Sequence, residues 1–311
     1  SDPDLDFGPV IREYNKEVRK ELDFRTEAEN MVEVREMLLE NRATAIIPET
    51  VDGLVTERVL VMDFCQGFPV KDTESMDVHG VDRELLLERI CRAWAFQMHV
   101  GGLFNADPHG ANILVSTAPS NGDASVPVLL DFGLTKRLDP PMKLAFARLM
   151  HASHEMDVDG LLTSFDEMGF KRRKNASYDD PLEDMAAMRR GFGDTVPQSL
   201  AREASKQRSA DYRRRMEARK TEEEEGGLLQ KGQKRRNPIE AWPSELVFFG
   251  RVTNMLRGLC SQLEVRYPYL KTMAETARET IRATVPLSEH ATSLVHDNEH
   301  TGGNNTSSNS S

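Results

Sequence analysis

Three side chains in the stretch Leu103 to Leu138 have types and spacing that suit chemistry: Asp107, Asn112 and Asp131. The stretch reads LFNADPHGANILV, a short polar insert, then PVLLDFGLTKRL, so that four residues separate Asp107 from Asn112 and a second carboxylate heads Asp131-Phe132-Gly133. Two short apolar runs, Ile113 to Val115 and Val128 to Leu130, are joined by the loop Ser116 to Val126 and predict a β-hairpin. Its closed ladder would bring the Asn112 end of one strand beside the Asp131 end of the other. Phosphoryl transfer suits such a group, because it asks the protein mainly to position charge: one carboxylate faces the acceptor hydroxyl or water, while an amide and a second carboxylate hold Mg²⁺ against nucleotide phosphates. Asp107 is the candidate for the first role, and Asn112 and Asp131 are the candidate metal ligands.

Neither D-x-x-x-x-N nor DFG is specific alone. In this order, with a hairpin between them, they indicate a protein-kinase-like fold. The plainer reading, an ordinary Asp-Pro turn and an ordinary strand exit, leaves the paired apolar runs and all three ligands as coincidence.

The elements around this centre follow from periodicity. Ile11, Tyr14, Val18 and Leu22 recur at helical steps, as do Ala28, Met31, Val34 and Leu38, with a break in phase between the two sets. One bent helix or two in succession would fit. At the junction lies KELDFRTEAEN with Glu21, Asp23 and Glu27. If the segment is helical, Asp23 and Glu27 share a face. A solvated face is the default for such acids, but a kinase-like fold needs one helix carboxylate for the lysine that grips the α- and β-phosphates, and Glu27 is the candidate. Ala45 to Pro48 and Glu57 to Phe64 read as strands. The sequence that follows, Met62-Asp63-Phe64-Cys65 with Gly67 and Pro69, reads either as a hinge whose backbone at Asp63 and Cys65 meets an adenine ring or as a plain strand exit. Residues 81 to 100 predict a helix with Leu86, Leu87, Ile90, Trp94 and Met98 on its apolar side, stopped by Gly101-Gly102. Helices are expected after Pro140-Pro141, across SELVFFGRVTNMLRGLCSQL and from about Tyr267 to Val285. The charge blocks from Lys171 to Asn237 predict an insertion, and the residues after Pro286 a low-complexity tail. His151 and His154 lie three apart beside Glu155 but lack a third ligand at a suitable spacing, so packing or surface roles are expected.

Bulk properties narrow the classes further. The 311 residues suffice for one large domain or two lobes. A formal net charge of −11 speaks against non-specific nucleic-acid binding. No apolar run approaches the length of a bilayer span, which leaves peripheral contact as the expected mode of any membrane association. Cys65, Cys91 and Cys260 show no metal spacing and read as reduced thiols. The chain opens at Ser1, so a targeting segment upstream is not observable.

The combination KELDFRTEAEN, ERVLVMDFCQG, NADPHGANILV and LLDFGLTKRL resembles the UbiB family of atypical kinases, also called aarF-domain-containing (ADCK) kinases, over roughly residues 9 to 285. The helix WPSELVFFGRVTNMLRGL is further similar to members from plants and algae. By that resemblance Asp107 matches the catalytic aspartate, Asn112 and Asp131 the metal ligands, Glu27 the lysine-pairing glutamate, and Glu21 and Asp23 the family's acidic pair near the nucleotide. It implies an α+β, protein-kinase-like two-lobe fold with a truncated N-lobe and a mostly helical C-lobe: a partial N-lobe at 1–64, a C-lobe at 65–285 holding the insertion 171–237, and a disordered tail at 286–311. It also implies ATP or ADP with Mg²⁺, a lipid or quinone-pathway substrate, and a mitochondrial or plastid location. Two departures from the family stand out, DPHGAN in place of the usual DPHPGN and Asn105 where the family has histidine; no APE-like anchor follows DFG, which the family also lacks. No phosphate loop or strand lysine is found before the acidic segment, so weak nucleotide binding by this stretch alone is expected. A non-catalytic scaffold or lipid-binding module, and a small-molecule kinase of the aminoglycoside or choline type, are the competing readings.

Overall fold

The structure, a computed structural model, describes residues 23–117, 123–169 and 244–284, with residues 171–172, 185–186, 188–189, 193, 206, 210, 214 and 239–241 between them. The first helix among the described residues, α1 (Phe24–Glu40), directly follows its N-cap Asp23, whose side chain accepts from the Arg25 N–H. Ala28, Met31, Val34 and Leu38 form its buried stripe, as the periodicity predicts, and Asn30 is buried with them. Because Asp23 has extended backbone (φ −126°, ψ 102°), it lies outside the helix and does not share a face with Glu27 in the predicted manner.

Strand placement differs from expectation in the next segment. Strand β1 (Thr50–Val55) forms in spite of Asp52 and Gly53, and pairs antiparallel with β2 (Leu60–Met62). The second predicted strand is thus shorter than Glu57 to Phe64, because Thr56 Oγ1 accepts from the Arg58 and Val59 N–H groups and turns the chain there. Ala45 to Pro48 supplies one parallel bridge, Ile46 to Val128, rather than a strand. Pro48 has no N–H to extend the pairing.

After β3 (Gly67–Pro69) and the short helix α2 (Thr73–His79), α3 (Arg83–Ala95) is capped by Asp82, which accepts from the Glu84 and Leu85 N–H groups. The predicted helix then widens into a π turn (Phe96–Gly101) that closes with Gly102 N–H donating to Gln97 O at 2.8 Å. Phe96, Gln97, Met98 and His99 are all buried along it. Gly102 ends it with φ 73°.

Four short strands frame the centre: β4 (Leu103–Asn105), β5 (Ile113–Ser116), β6 (Pro127–Leu129) and β7 (Thr135–Arg137). The predicted hairpin is β5–β6, with Ile113 opposite Leu129, and β3 adds to its other edge with Phe68 opposite Val115. A second ribbon pairs β4 with β7, Asn105 facing Thr135. The chain therefore leaves β4, runs through 106–112 into β5, returns on β6 and passes through 130–134 into β7. Both loops are tied at both ends and lie side by side.

Helices cover this frame. Asp139 caps α4 (Pro140–Glu155), Asp157 caps α5 (Val158–Glu167), and α7 (Tyr269–Thr284) lies against α4 and α3. The strands β8 (Lys171–Arg172) and β9 (Ile239–Ala241) pair with each other, which brings the two ends of the charged segment together. From there α6 (Ser244–Gln262) stacks Phe249 on Phe104 and Phe146. Trp94, Phe104, Phe132, Phe146, Phe249 and Tyr269 are fully buried, each burial of this kind contributing about 1.5–3 kcal/mol. His99, also in this core, stacks on Phe146, and burial first and the nearby Lys143 second hold its pKa down to about 3, so it is a neutral packing group. Cys91 and Cys260 are buried in mutual contact, their interaction pushing the Cys91 thiol up, whereas Cys65 is half-buried. Among the described residues no helix is long and apolar enough to cross a membrane.

Candidate active site

The two loops meet through backbone and side-chain bonds that continue the ladders of the ribbons. Ala106 N–H donates to Leu134 O at 2.8 Å and Leu130 N–H to Asn112 O at 3.0 Å. Asn112 Nδ2 donates to Asp131 Oδ2 at 2.8 Å, and the Gly133 N–H donates to Asp131 Oδ1 at 2.9 Å. Asp131 is thus held by a bond across to the other loop and one within its own, with both residues half-buried.

Asn105 ties the remaining acid to this pair. Its side-chain oxygen accepts the Asp107 N–H at 2.7 Å, while its side-chain nitrogen donates to the Asp131 carbonyl. Its own backbone is fixed by Gln97 Oε1, which accepts the Asn105 N–H at 3.0 Å, and by Trp94 Nε1, which donates to Asn105 O at 2.9 Å. The position read from sequence as a departure is therefore the hub of the site. Asp107 itself, one-third exposed, sits 3.0 Å from the Arg251 guanidinium of α6. That contact is charge to charge without hydrogen-bond alignment, since Asp107 Oδ1 has no hydrogen-bond partner. The loop between the ligands turns on His109 N–H to Asp107 O at 2.6 Å and Asn112 N–H to His109 O at 2.8 Å. At Gly110 a Cβ would lie 2.5 Å from Lys71 Cε, so the flexible end of that side chain rests against the turn.

Helix α1 grips the second loop. Glu27 Oε1 accepts the Phe132 N–H at 3.1 Å, and Asn30 Nδ2 donates to Phe132 O at 3.3 Å and to Thr135 Oγ1 at 2.8 Å. One turn of helix thereby satisfies both backbone groups of Phe132, with Met31 and Val34 packing beneath. Asn30 was not legible as a site residue, because a polar residue in a helical stripe gains meaning only once its partner is known.

The other predicted residues lie elsewhere. Asp23 caps α1, and its bonds with Arg25 hold its carboxyl below the usual carboxylate range. Glu21 falls outside the described residues. Asp63 is exposed at the exit of β2, its N–H donating to Glu49 O at 2.8 Å, and Cys65 follows it with its thiol pushed up by burial and then by the Asp63 charge. Phe64 between them is 90% exposed. His151 is partly buried in α4, and burial pushes its pKa down. Among the described residues no three His, Cys, Asp or Glu side chains form a group able to hold a metal. The Asn112 and Asp131 oxygens instead make a half-set, which suits a hard cation such as Mg²⁺ that takes one carboxylate and completes its shell with water and phosphate.

The chain is similar to known proteins over about half of its length. The chain is 32% identical over 156 residues to AarF domain-containing protein kinase 1 of Gallus gallus, covering 50% of this chain and 30% of that protein. It is also 32% identical over 148 residues to the probable protein kinase UbiB of Histophilus somni, covering 48% of this chain and 27% of the relative. The chain thus spans less than a third of the length of these curated relatives. A Mycobacterium tuberculosis protein, Rv3197, solved in complex with erythromycin, superposes with a TM-score of 0.57 over 90% of this chain and 63% of its own, at 14% identity, a likeness of fold alone. Residues 2–165, just over half of the chain, match the ABC1 atypical kinase-like domain, and the chain belongs to that family.

Proposed function

We propose that this chain carries the catalytic centre of a UbiB-type ATP-dependent phosphotransferase or ATPase. The observation that carries the reading is the junction of Asp107, Asn112 and Asp131 through Asn105 between two tied loops. Bound Mg²⁺ would neutralise charge on the β- and γ-phosphates. Asn112 and Asp131 would hold it, Glu27 and Asn30 keep the second loop in register, and Asp107 orients the acceptor hydroxyl or water. In the same reading backbone groups at Asp63 and Cys65 receive the adenine, and Glu21 and Asp23 correspond by family likeness to the family's acidic pair. In this reading residues 1–64 are part of a smaller lobe, residues 65–285 a larger one with 171–237 inserted, and 286–311 a tail. A lipid or quinone-pathway acceptor and a mitochondrial or plastid setting belong to the same proposal, by family likeness.

Thermal stabilisation by ATP or ADP that requires Mg²⁺ and disappears in Asp131→Asn is the expected result; stabilisation that persists in the variant, or needs no metal, would count against it. A second reading, a scaffold that keeps the fold without turnover, is favoured by the pairing of Asp107 with Arg251 and by the altered DPHGAN turn. Nucleotide stabilisation without release of phosphate would select it.

A further inference from the structure

The Asp107 backbone is held by neighbours in its own loop and by Asn105, but its carboxylate is met by a residue from a distant part of the chain. Helix α6 is anchored beside the site by aromatic packing: Lys136 Nζ lies 5.6 Å from the centre of the Phe248 ring, and Phe249 stacks on Phe104 with ring centres 5.1 Å apart. Phe104 and Lys136 face each other on the β4–β7 ribbon. Val252 and Leu256 bury the next turn, so the helix has a fixed rotation, and Arg251 is delivered to Asp107 at 3.0 Å. Both side chains are about a third exposed, which places the pair at the mouth of the site rather than in the core. A guanidinium aligned as a fork would occupy the carboxylate oxygens. Here the charge lies close to Oδ1, which is itself buried and accepts no hydrogen bond, while the side chain as a whole is one-third exposed, so Oδ2 is the oxygen left to face an acceptor O–H.

We propose that Arg251 is the positioning residue for Asp107, holding its carboxylate at the acceptor side by charge while leaving an oxygen to take the proton. The inference rests on the role of Asp107 stated above. In the step concerned, the acceptor oxygen bonds to the γ-phosphorus, the bond to the β–γ bridging oxygen breaks, ADP leaves, and the acceptor proton passes to Asp107. Arg251 takes no part in bond making; it fixes the direction from which the proton is received.

The test is a double-mutant cycle on phosphate release from Mg-ATP by the full chain, with Arg251→Gln, Asp107→Asn, both together, and Arg251→Lys. Arg251→Gln lowers kcat by about tenfold or more while the KM for Mg-ATP changes by less than about twofold. In the Asp107→Asn background the same substitution changes kcat by less than about twofold, because the group it acts through is gone. Arg251→Lys, which keeps the charge, restores most of the rate at an unchanged Tm. An unchanged or raised kcat in Arg251→Gln overturns the proposal, a rise marking the pair as an inhibitory clasp. Full additive loss in the double variant overturns it too, since Arg251 would then act independently of Asp107. Should Arg251→Gln fail to fold, Arg251→Met decides: a folded variant without the charge but with parental kcat overturns the proposal. If Asp107→Asn keeps parental turnover, or the parent chain releases no phosphate, the underlying reading falls and takes this one with it.

Discussion

The surroundings of Asp131 and of Asp107 are built differently. Asp131 has both carboxylate oxygens bonded, its carbonyl held by Asn105, and the next residue gripped by Glu27 and Asn30. Asp107 has a fixed backbone and a carboxylate met by one cation at the rim. The difference suits two tasks: a metal ligand gains from a rigid position, whereas a group that orients an acceptor must take up a proton and admit a substrate. Exchanging the two acids for amides tests it. Asp131→Asn costs roughly 10²–10³ in kcat and abolishes Mg²⁺-dependent nucleotide stabilisation, on the scale of a lost electrostatic contact to the transition state. Asp107→Asn lowers turnover as well but leaves nucleotide stabilisation intact, and shifts folding stability by no more than about 0.5 kcal/mol. Loss of nucleotide stabilisation in both variants, read by thermal shift with and without Mg²⁺, would erase the distinction.

Asn105 is where the two surroundings join. It is only 4% exposed and bonds to both loops through one carboxamide, so Asn105→Ala leaves the Asp107 N–H and the Asp131 carbonyl without their partner. A loss of about 2–4 kcal/mol is expected from unsatisfied buried groups, measured as a lower denaturant midpoint at unchanged slope. The same substitution lowers turnover, since it frees both loops together.

These bonds also explain what could and could not be read from the sequence. The β5–β6 hairpin and the buried stripe of α1 were legible because their signals are local and repeat several times within one element. Strands β4 and β7 are three residues each, too short to show a period, and their pairing depends on the hairpin between them. The π turn had no signature in its letters. Gln97 and His99 look like interruptions of an apolar face until one is seen to hold Asn105 and the other to pack on Phe146. Arg251 follows Phe248 and Phe249 on a helix that reads simply as buried, and nothing in its own segment points to Asp107. Asp23 shows the converse: four-residue spacing suggested a shared helix face, but an aspartate before a helical run is also an N-cap, and that role prevailed.

The sheet that carries the metal-side residues offers a smaller perturbation. Gly67 faces Ser116 in the β3–β5 pairing, and a Cβ there would collide with the Val115 carbonyl oxygen, which is backbone and has no rotamer to yield. Gly67→Ala is expected to cost about 1–3 kcal/mol, the range for overpacking a fixed environment. Gly110→Ala, whose Cβ would meet the end of the exposed Lys71 side chain, costs less, because that chain swings away. Equal losses of Tm in the two variants would mean that β3 contributes no more constraint than a mobile surface chain.

The smallest effect concerns the outer tie between α1 and β7. Arg137 donates to both Glu33 oxygens at 2.8 and 2.6 Å, on the same helix that sends Asn30 to Thr135, but both ion-pair partners are about half exposed. Water and salt therefore screen the pair, and Glu33→Gln is expected to cost only about 0.2–1 kcal/mol at neutral pH and low ionic strength. The bond to Arg137 holds the Glu33 carboxyl below its ordinary range in the folded chain. A depressed carboxylate stabilises the fold above the unfolded-state value of about 4.3 and loses that contribution as pH falls through the lower folded value. The stability gap between parent and variant should accordingly be present at pH 7 and close in acid and in molar salt, as followed by denaturant titration. A gap that survived both conditions would show that Glu33 acts through packing, and would place the outer tie in the same class as the buried grip of Asn30.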